Sequence, residues 1–265
     1  KFAYVGIGLE SIVSDVHDTL CGVKGAFDQA MNGLRRCIEA GQEVGWNLAL
    51  TEHSCRDLGE TIEFFESEHI KRACFCHLHP IGRGRKAAHI RHIEMRRAVN
   101  RVFDLARGLV ERSRQVEILT SDNSCDGPYL YLRMLREGHF RAEQVRNMLA
   151  WNGGARYSDG VGIGHIDSLG TVHACQFSGH RSFGNVRRRR FSEIWRNVSD
   201  PILAGLKDRL PLLKGRCGKC RFRSLCGGSS RVRAEIATGD PWAPDPACYL
   251  ISDEIFEDPR VQKND

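Results

Sequence analysis

The stretch Arg216–Cys248, RCGKCRFRSLCGGSSRVRAEIATGDPWAPDPAC, contains four of the eleven cysteines of this 265-residue chain. They are Cys217, Cys220, Cys226 and Cys248. In a reducing compartment cysteines stay as thiols, and clustered thiols are more often metal ligands than disulfides. Zinc and four-iron clusters both accept four tetrahedrally disposed sulfur ligands. The stretch therefore predicts a small domain built around a metal site.

The spacing of these cysteines favours an iron–sulfur cluster over zinc. A structural zinc ribbon usually has two C-x2-C knuckles, and here there is one, Cys217 and Cys220, followed by intervals of five and twenty-one residues. A four-iron cubane is larger than a zinc ion, so it suits cysteine ligands that come from more widely separated positions in the chain. Gly227 and Gly228 directly follow Cys226, and they would let backbone N–H groups approach inorganic sulfide. From the spacing alone, zinc and unligated thiols remain open.

Composition and charge narrow the class of protein. With 41% hydrophobic residues and eight prolines the chain can bury a sizeable core, as one large domain or one domain and a small appendage. The formal net charge of +6 favours an anionic partner, such as nucleic acid, phosphate or a polycarboxylate, or else reflects a solvated basic surface. We find no apolar run long enough to span a bilayer and no signal-peptide pattern, so we expect a cytoplasmic protein without membrane contact.

The first half of the chain alternates between strand and helix patterns. Strands are predicted at KFAYVGIGLE, EVGWNLALT, IKRACFCHLHP and QVEILTS, with amphipathic helices between them. Strand–helix–strand units at this spacing indicate parallel crossovers in an α/β barrel or open sheet. Because four strands are too few to close a barrel, we interpret residues 1–150 as the back part of a partial barrel.

The pattern changes after Trp151. Residues 161–166 and 171–177 read as a hairpin joined at Ser168–Gly170, and helical patterns at FSEIWRNV and at 201–213 lead into the cysteine-rich stretch. We therefore place a domain boundary near residue 150. Residues 151–265 then form a second, smaller domain.

The cysteine-rich stretch resembles the SPASM or twitch segment of radical S-adenosylmethionine enzymes. The residues that carry this resemblance are CGKCRFRSLCGGSSRVRA and GDPWAPDPACY. Within that superfamily the chain is similar to the NirJ-like proteins of haem d1 biosynthesis, through GIGLES, FCHLHPIGRG, TSDNSCDGPYL, IDSLGTVHACQF and FGNVRRRRFSEIW in the family's order. The resemblance implies an α/β partial barrel followed by a cysteine-rich SPASM or twitch domain.

The same resemblance implies one auxiliary [4Fe–4S] cluster. Its ligands would be the four cysteines Cys217, Cys220, Cys226 and Cys248. The two-cluster pattern has a further cysteine four residues after Cys226, and this chain has Ser230 there. Cys175 is then expected to be a free thiol, with a ligand role as the alternative.

Radical S-adenosylmethionine enzymes also need a C-x3-C-x2-C loop, and the eleven cysteines do not contain that spacing. We expect this loop, with its second [4Fe–4S] cluster and S-adenosylmethionine, to lie upstream of Lys1. The alternative is a homologue that has lost the chemistry. Three differences from the family each remove a group that could contact the cofactor. The chain has GLES where the family has SLDG, Cys21 in place of one arginine, and Asn47 in place of another.

Three residues are predicted to contact S-adenosylmethionine by the same resemblance. Glu10 lies in GLES, at the strand end that the family places near the cofactor ribose. Gly82 and Gly84 lie in the loop after the third strand, which lines the cofactor in related enzymes. A flexible basic turn is the alternative for these glycines. Farther along, Asp122, Asn123 and Asp126 could orient a substrate or cap a helix.

The resemblance implies an enzyme that acts on an anionic tetrapyrrole. Its substrate would be of the didecarboxysiroheme type, whose two propionate side chains are removed on the way to oxo groups, and an electron donor would be a partner. No catalytic residue is assigned. The alternatives are another haem-pathway decarboxylase, a peptide-modifying enzyme, or a non-catalytic iron–sulfur or zinc module. Nucleic acid is not expected, because the basic run Arg187–Arg190 lacks interleaved aromatic residues.

Overall fold

A four-stranded parallel sheet organises the first half of the chain, with the strands in the order in which they occur in the sequence. They are β1 (Val5–Gly8), β2 (Val44–Leu50), β3 (Arg72–His77) and β4 (Glu117–Ser121). In this computed structural model residues 2–68, 70–86, 90–152 and 158–257 are described. Each pair of neighbouring strands is parallel and is joined through helices, which is the crossover arrangement predicted above.

Helices cover one face of this sheet. They are α1 (Ser14–Cys21), α2 (Ala26–Glu39), α3 (Glu52–Arg56), α4 (Leu58–Ser67) and α5 (His92–Glu111), with a 3₁₀ turn at Gly82–Lys86. The core between them contains Trp46, which stacks on Phe65 with 6.0 Å between ring centroids and donates from Nε1 to the carbonyl of Leu9 at 2.8 Å. Within the part of the chain that the structure describes, no helix has the length and apolar character to cross a membrane.

The opposite face of the sheet is less buried. Side chains alternate along each strand, so Trp46, Leu48 and Leu50 point into the core whereas Asn47 and Ala49 point away from it. The register aligns Asn47 with Cys74 and Leu119, and Ala49 with Cys76 and Ser121. We call the surface formed by these six residues the open face of the sheet.

The second structural unit begins at Asn123 and includes the short segment His79–Ile81. It contains α6 (Asp126–Arg136), α7 (Ala142–Asn152), the strands β5 (His165–Ile166), β6 (Thr171–His173) and β7 (Gly184–Asn185), and a series of short helices. These helices are α8 (Phe191–Arg196), α9 (Pro201–Lys207), α10 (Gly215–Lys219), α11 (Arg223–Cys226), α12 (Arg231–Thr238) and α13 (Ser252–Phe256), with a 3₁₀ turn at Leu210–Leu212.

The predicted hairpin is present, but its strands are shorter than the sequence pattern indicated. β5 and β6 pair antiparallel around a turn in which Oδ1 of Asp167 accepts hydrogen bonds from the amides of Leu169 and Thr171 at 2.9 and 2.8 Å. The second strand ends early because the chain turns at Cys175, whose amide donates to Oγ of Ser178 at 2.9 Å. A third strand, β7, pairs with β6 and completes a small antiparallel sheet.

The two units divide between Asp122 and Asn123, which is earlier in the chain than the predicted boundary near residue 150. The predicted boundary assigned α6 and α7 to the first domain, because their amphipathic pattern continues that of the preceding helices. In the structure both helices belong to the second unit. Side chains at the start of α6 bind loops far along the chain. Nδ2 of Asn123 donates to the carbonyl of Ala247 at 3.0 Å, and the hydroxyl of Tyr249 donates to Asp126 at 2.6 Å.

Candidate functional site

Short helices and tight turns present the four clustered cysteines. Cys217 lies in α10, Cys220 follows that helix directly, and Cys226 is the last residue of α11. Gly227 and Gly228 then reverse the chain with φ of 61° and 77°, a left-handed conformation that favours glycine. At Gly228 a Cβ atom would also lie 2.6 Å from Cδ2 of Leu213. Backbone geometry therefore favours glycine at both positions, and packing against Leu213 adds to this preference at Gly228.

The four cysteines line one small, mainly apolar cavity. The other residues around it are Arg216, Phe222, Arg223, Gly228, Ser229, Leu250 and Ile255. Among the described residues, no three histidine, cysteine, aspartate or glutamate side chains converge closely enough to hold a single metal ion. All four thiols line this one cavity, as the sulfur ligands of a four-iron cubane would.

Backbone amides donate hydrogen bonds to three of these sulfur atoms. The N–H of Phe222 lies 3.3 Å from Sγ of Cys220, the N–H of Asp245 donates to Cys217, and the N–H of Leu250 donates to Cys248. Amide donors of this kind stabilise thiolate ligands and tune the potential of iron–sulfur clusters. The donor set fits a thiolate-bound cluster.

Burial controls the protonation of most of these thiols. It raises the pKa of Cys217, Cys220 and Cys226 above the ordinary cysteine value. The thiols are therefore neutral unless a positive centre binds among them, and metal binding would release their protons. Cys248 differs, because a hydrogen bond from Cys125 lowers its pKa to about 7.

Cys125 is a fifth thiol at this site, and the sequence analysis missed it. Its side chain is fully buried at the start of α6, donates to Cys248 and lies near Cys226. In the surrounding TSDNSCDG stretch, the sequence pattern points to the acidic and amide side chains and not to the cysteine. The only sign of this role in the sequence is a cysteine directly before a predicted helix. Such a cysteine by itself does not indicate which residue it contacts.

Asn123 holds the same helix start against the loops that carry the cysteines. Its Oδ1 accepts from the amide of Cys125 at 3.3 Å and from the hydroxyl of Ser229 at 3.1 Å. Oγ of Ser229 in turn accepts from the amide of Ser124 at 3.0 Å. Asn123 and Asp126 are thus both engaged by protein groups of the second unit, as positioning residues for the cysteine loops.

A buried ion pair joins the first turn of α12 to the loop before Cys248. Nε and Nη2 of Arg233 donate to Oδ1 and Oδ2 of Asp245, each at 2.8 Å. The same carboxylate accepts from the amides of Ser230 and Ala247, each at 2.9 Å. Burial would raise the pKa of Asp245, but Arg233 and these amides outweigh it and hold the pKa below its ordinary value.

Two buried arginines place positive charge beside the cysteines. Arg231 is 2% exposed and donates to the carbonyls of Pro241 and Ala243, each at 2.8 Å, and to that of Gly228. Arg209 lies near Cys226, and its burial lowers its pKa to about 10. Buried cations bound to carbonyl groups favour an anionic neighbour. A four-iron cluster with four thiolate ligands has net negative charge, so the surroundings fit it.

Cys175 lies outside the set of residues that line the cavity. It is buried, and burial together with nearby Asp159 raises its pKa to about 12. A neutral, enclosed thiol is consistent with the expectation that Cys175 is free. That expectation stays a prediction.

The residues predicted to contact S-adenosylmethionine lie in the first unit. Oε2 of Glu10 accepts from the amide of Ala49 at 3.3 Å, just beyond the end of β1. Gly82 begins the 3₁₀ turn after β3 with φ of 51°, and there is open space where its Cβ would lie. Gly82 is therefore explained by its left-handed backbone, and Gly84 belongs to the same turn. Their contact with the cofactor stays a prediction.

A family model described as SPASM, iron–sulfur cluster-binding domain, matches residues 162–221. The matched segment lies within the second unit and includes the C-x2-C pair of the cavity. It ends before Cys226 and Cys248, whose place in the site comes from the structure.

Two curated relatives cover nearly all of this chain. The Fe-coproporphyrin III synthase of Methanosarcina barkeri is 45% identical over 258 residues, which are 96% of this chain and 64% of the relative. The pre-heme d1 synthase of Dinoroseobacter shibae is 37% identical over 263 residues, 96% of this chain and 63% of the relative. The chain thus spans less than two thirds of the length of each.

The fold is also similar to that of a solved structure. The crystal structure of SuiB from Streptococcus suis aligns with a TM-score of 0.67 at 19% sequence identity, over 94% of this chain and 55% of SuiB. At this identity the similarity concerns the fold alone. It agrees with the predicted α/β sheet followed by a small cysteine-rich domain.

Proposed function

We propose that the chain is part of a radical S-adenosylmethionine enzyme with a SPASM domain that modifies a tetrapyrrole in haem biosynthesis. The observation that carries the proposal is the identity to two tetrapyrrole-synthesising relatives over 96% of the chain, together with the cavity lined by four cysteines.

In the second unit, Cys217, Cys220, Cys226 and Cys248 hold an auxiliary [4Fe–4S] cluster. The amide donors to their sulfur atoms and the buried charge of Arg231 support this assignment. When bound by these four cysteines, such a cluster would supply an acceptor for one electron from the reaction. The protein encloses it among apolar side chains such as Leu250 and Ile255, which limit access of water.

In the first unit, Glu10, Gly82 and Gly84 contact S-adenosylmethionine, the cofactor that supplies the radical when its own cluster is bound. Sites in α/β sheets lie at the carboxyl ends of the strands. Glu10 follows β1 and the glycine turn follows β3, so both positions are at such ends. The net charge of +6 supports a carboxylate-rich substrate, and an external electron donor completes the system.

For the reaction itself, we propose removal of propionate side chains from a didecarboxysiroheme-type tetrapyrrole on the way to oxo groups. The relative named pre-heme d1 synthase supports this reaction. A second candidate is formation of Fe-coproporphyrin III, and the higher identity to the relative of that name favours it. The two differ in product and are separated by one assay.

The coding sequence upstream of Lys1 provides the first test. A C-x3-C-x2-C motif there is expected, and its absence would withdraw the enzymatic proposal for this protein. The whole protein is then purified anaerobically and incubated with S-adenosylmethionine, a reductant and didecarboxysiroheme. We expect 5′-deoxyadenosine together with a modified tetrapyrrole. Mass spectrometry distinguishes loss of propionate groups from Fe-coproporphyrin III, and a motif-cysteine variant that retains the full turnover contradicts the proposal.

A further inference from the structure

Arg231 is a buried cation that packs against the wall of the cysteine-lined cavity. It is 2% exposed, and its Nη1 donates to the carbonyls of Pro241 and Ala243, each at 2.8 Å, while Nη2 donates to the carbonyl of Gly228. A Cβ atom on Gly228 would lie 2.8 Å from Nη2 and 3.0 Å from Cζ of Arg231. Gly228 itself lines the cavity, so the guanidinium lies directly behind the cavity wall.

In the part of the chain that the structure describes, no carboxylate is bound to Arg231. Its three acceptors are neutral carbonyl groups, whereas the nearby carboxylate of Asp245 is bound on both oxygens by Arg233. Burial lowers the pKa of Arg231, but a guanidinium remains protonated in proteins. Arg231 therefore adds one positive charge at a position where water does not screen it.

This charge interacts with two of the four clustered cysteines. Burial raises the pKa of Cys217, while the amide of Asp245 and the charge of Arg231 lower it, and Cys226 in turn raises the pKa of Arg231. The Nε–H of Arg231 is buried and has no hydrogen-bond partner among the described residues. An unpaired buried donor costs free energy, and sulfur atoms of an iron–sulfur cluster are hydrogen-bond acceptors. The guanidinium thus offers both a charge and a spare donor to a negatively charged group held by these cysteines.

Two other arginines of the second unit lie near the same cysteines but differ from Arg231 in burial or in contacts. Arg209 is buried, and its guanidinium donates to the carbonyls of Leu206 and Asp159, which lie outside the cavity lining. Arg216 lines the cavity but is only half-buried, so solvent screens its charge. Arg231 combines nearly complete burial with direct contact to the cavity wall.

We propose that Arg231 sets the reduction potential of the auxiliary cluster by raising it above the value that the four thiolates alone would give. Reduction by one electron makes a thiolate-bound cluster more negative, and a fixed positive charge in a low-dielectric environment stabilises the reduced state more than the oxidised one. Arg231 is a tuning residue in this role and not a ligand. The inference deepens the proposed function and rests on its assignment of a cluster to Cys217, Cys220, Cys226 and Cys248.

Three substitutions separate the charge of Arg231 from its hydrogen bonds. Arg231→Gln keeps amide donors for the carbonyl groups but removes the charge, Arg231→Met removes both, and Arg231→Lys keeps both. They are made in the whole protein, with alanine at any upstream C-x3-C-x2-C cysteines so that only the auxiliary cluster is titrated. Anaerobic titration with dithionite, followed by electron paramagnetic resonance, gives the midpoint potential. Iron and acid-labile sulfide give the occupancy of the cluster, and circular dichroism checks folding.

We expect Arg231→Gln and Arg231→Met to make one-electron reduction at least about tenfold less favourable, which is a shift of about 59 mV to more negative potential. Arg231→Lys should retain most of the potential of the unchanged protein, because it retains the charge. The control is Arg187→Gln, which removes an exposed charge in the turn after β7 and should leave the potential unchanged because water screens that side chain.

Occupancy distinguishes failure of this inference from failure of the proposed function. An unchanged protein without iron and labile sulfide contradicts the cluster, and the inference with it. An occupied cluster whose potential is the same in Arg231→Gln as in the unchanged protein overturns the inference alone, as do equal shifts in Arg231→Gln and Arg231→Lys. Loss of the cluster from the folded glutamine and methionine variants, with retention in Arg231→Lys, supports the role of the charge. Unfolding of all three variants overturns it, because Arg231 then acts through the fold.

Discussion

The guanidinium of Arg233 and the carboxylate of Asp245 form a bidentate ion pair that is almost completely buried, with both N–O distances at 2.8 Å. The pair joins α12, which follows the turn after Cys226, to the loop that precedes Cys248. Its carboxylate also accepts from the amides of Ser230 and Ala247. One carboxylate therefore sets the separation of two of the four cysteine-bearing segments.

Arg233→Met should destabilise the second unit strongly, by about 3–5 kcal/mol, because it leaves the carboxylate of Asp245 buried without its partner. Urea unfolding followed by far-ultraviolet circular dichroism measures the change. The matched control is Arg181→Met, which breaks a more exposed pair with Glu235 and should cost about 1 kcal/mol or less. Equal effects of the two substitutions would contradict the role given to Asp245.

Cys220→Ala should abolish the absorbance at about 400 nm that an auxiliary cluster produces, because a methyl group cannot replace a coordinating thiolate. Iron and acid-labile sulfide are measured on the same anaerobic sample. Cys175→Ala is the control and should leave the absorbance unchanged. One zinc ion without labile sulfide contradicts the cluster, and bleaching by Cys175→Ala contradicts the assignment of a single cluster.

Cys125→Ala should keep the iron content but shift the reduction potential of the cluster to more negative values, on the order of tens of millivolts. The variant removes the hydrogen bond to Cys248, and donors to ligand sulfur stabilise the reduced, more negative cluster. Potentiometric titration followed by electron paramagnetic resonance measures the shift. Cys125→Ser retains a donor and should shift less; an unchanged potential in the alanine variant excludes a tuning role for Cys125.

Acid should weaken the second unit partly through Glu235. Burial would raise its pKa, but Arg181 and His180 outweigh burial and hold the pKa below the ordinary value of 4.5. Because the pKa is lower in the folded state, this contribution to stability is present above about pH 4.5 and is lost as the pH falls through the folded-state pKa. Thermal unfolding between about pH 7 and about pH 3 should show a shallower decline for Glu235→Gln than for the unchanged protein. Identical declines contradict the assignment.

Much of the first unit could be predicted because its signals are local. Continuous apolar runs such as that around Trp46 indicate buried parallel strands, and amphipathic periods indicate the helices between them. All four predicted strands are present, and neighbouring strands pair in parallel as predicted. The strand ends and the extent of the hairpin were less accurate, since they depend on turns such as that between Cys175 and Ser178.

The cysteine spacing alone was sufficient to propose a metal site at Cys217, Cys220, Cys226 and Cys248, because ligands must recur at intervals that short loops can bridge. It could not reveal that Cys125 donates to Cys248, or that Asn123 binds the loop at Ala247. These contacts join residues far apart in the chain, and neither partner has a neighbouring pattern that indicates the other. Local periodicity determined the elements of this protein; the packing of α6 against the cysteine loops, which depends on long-range burial, decided which side chains surround the site.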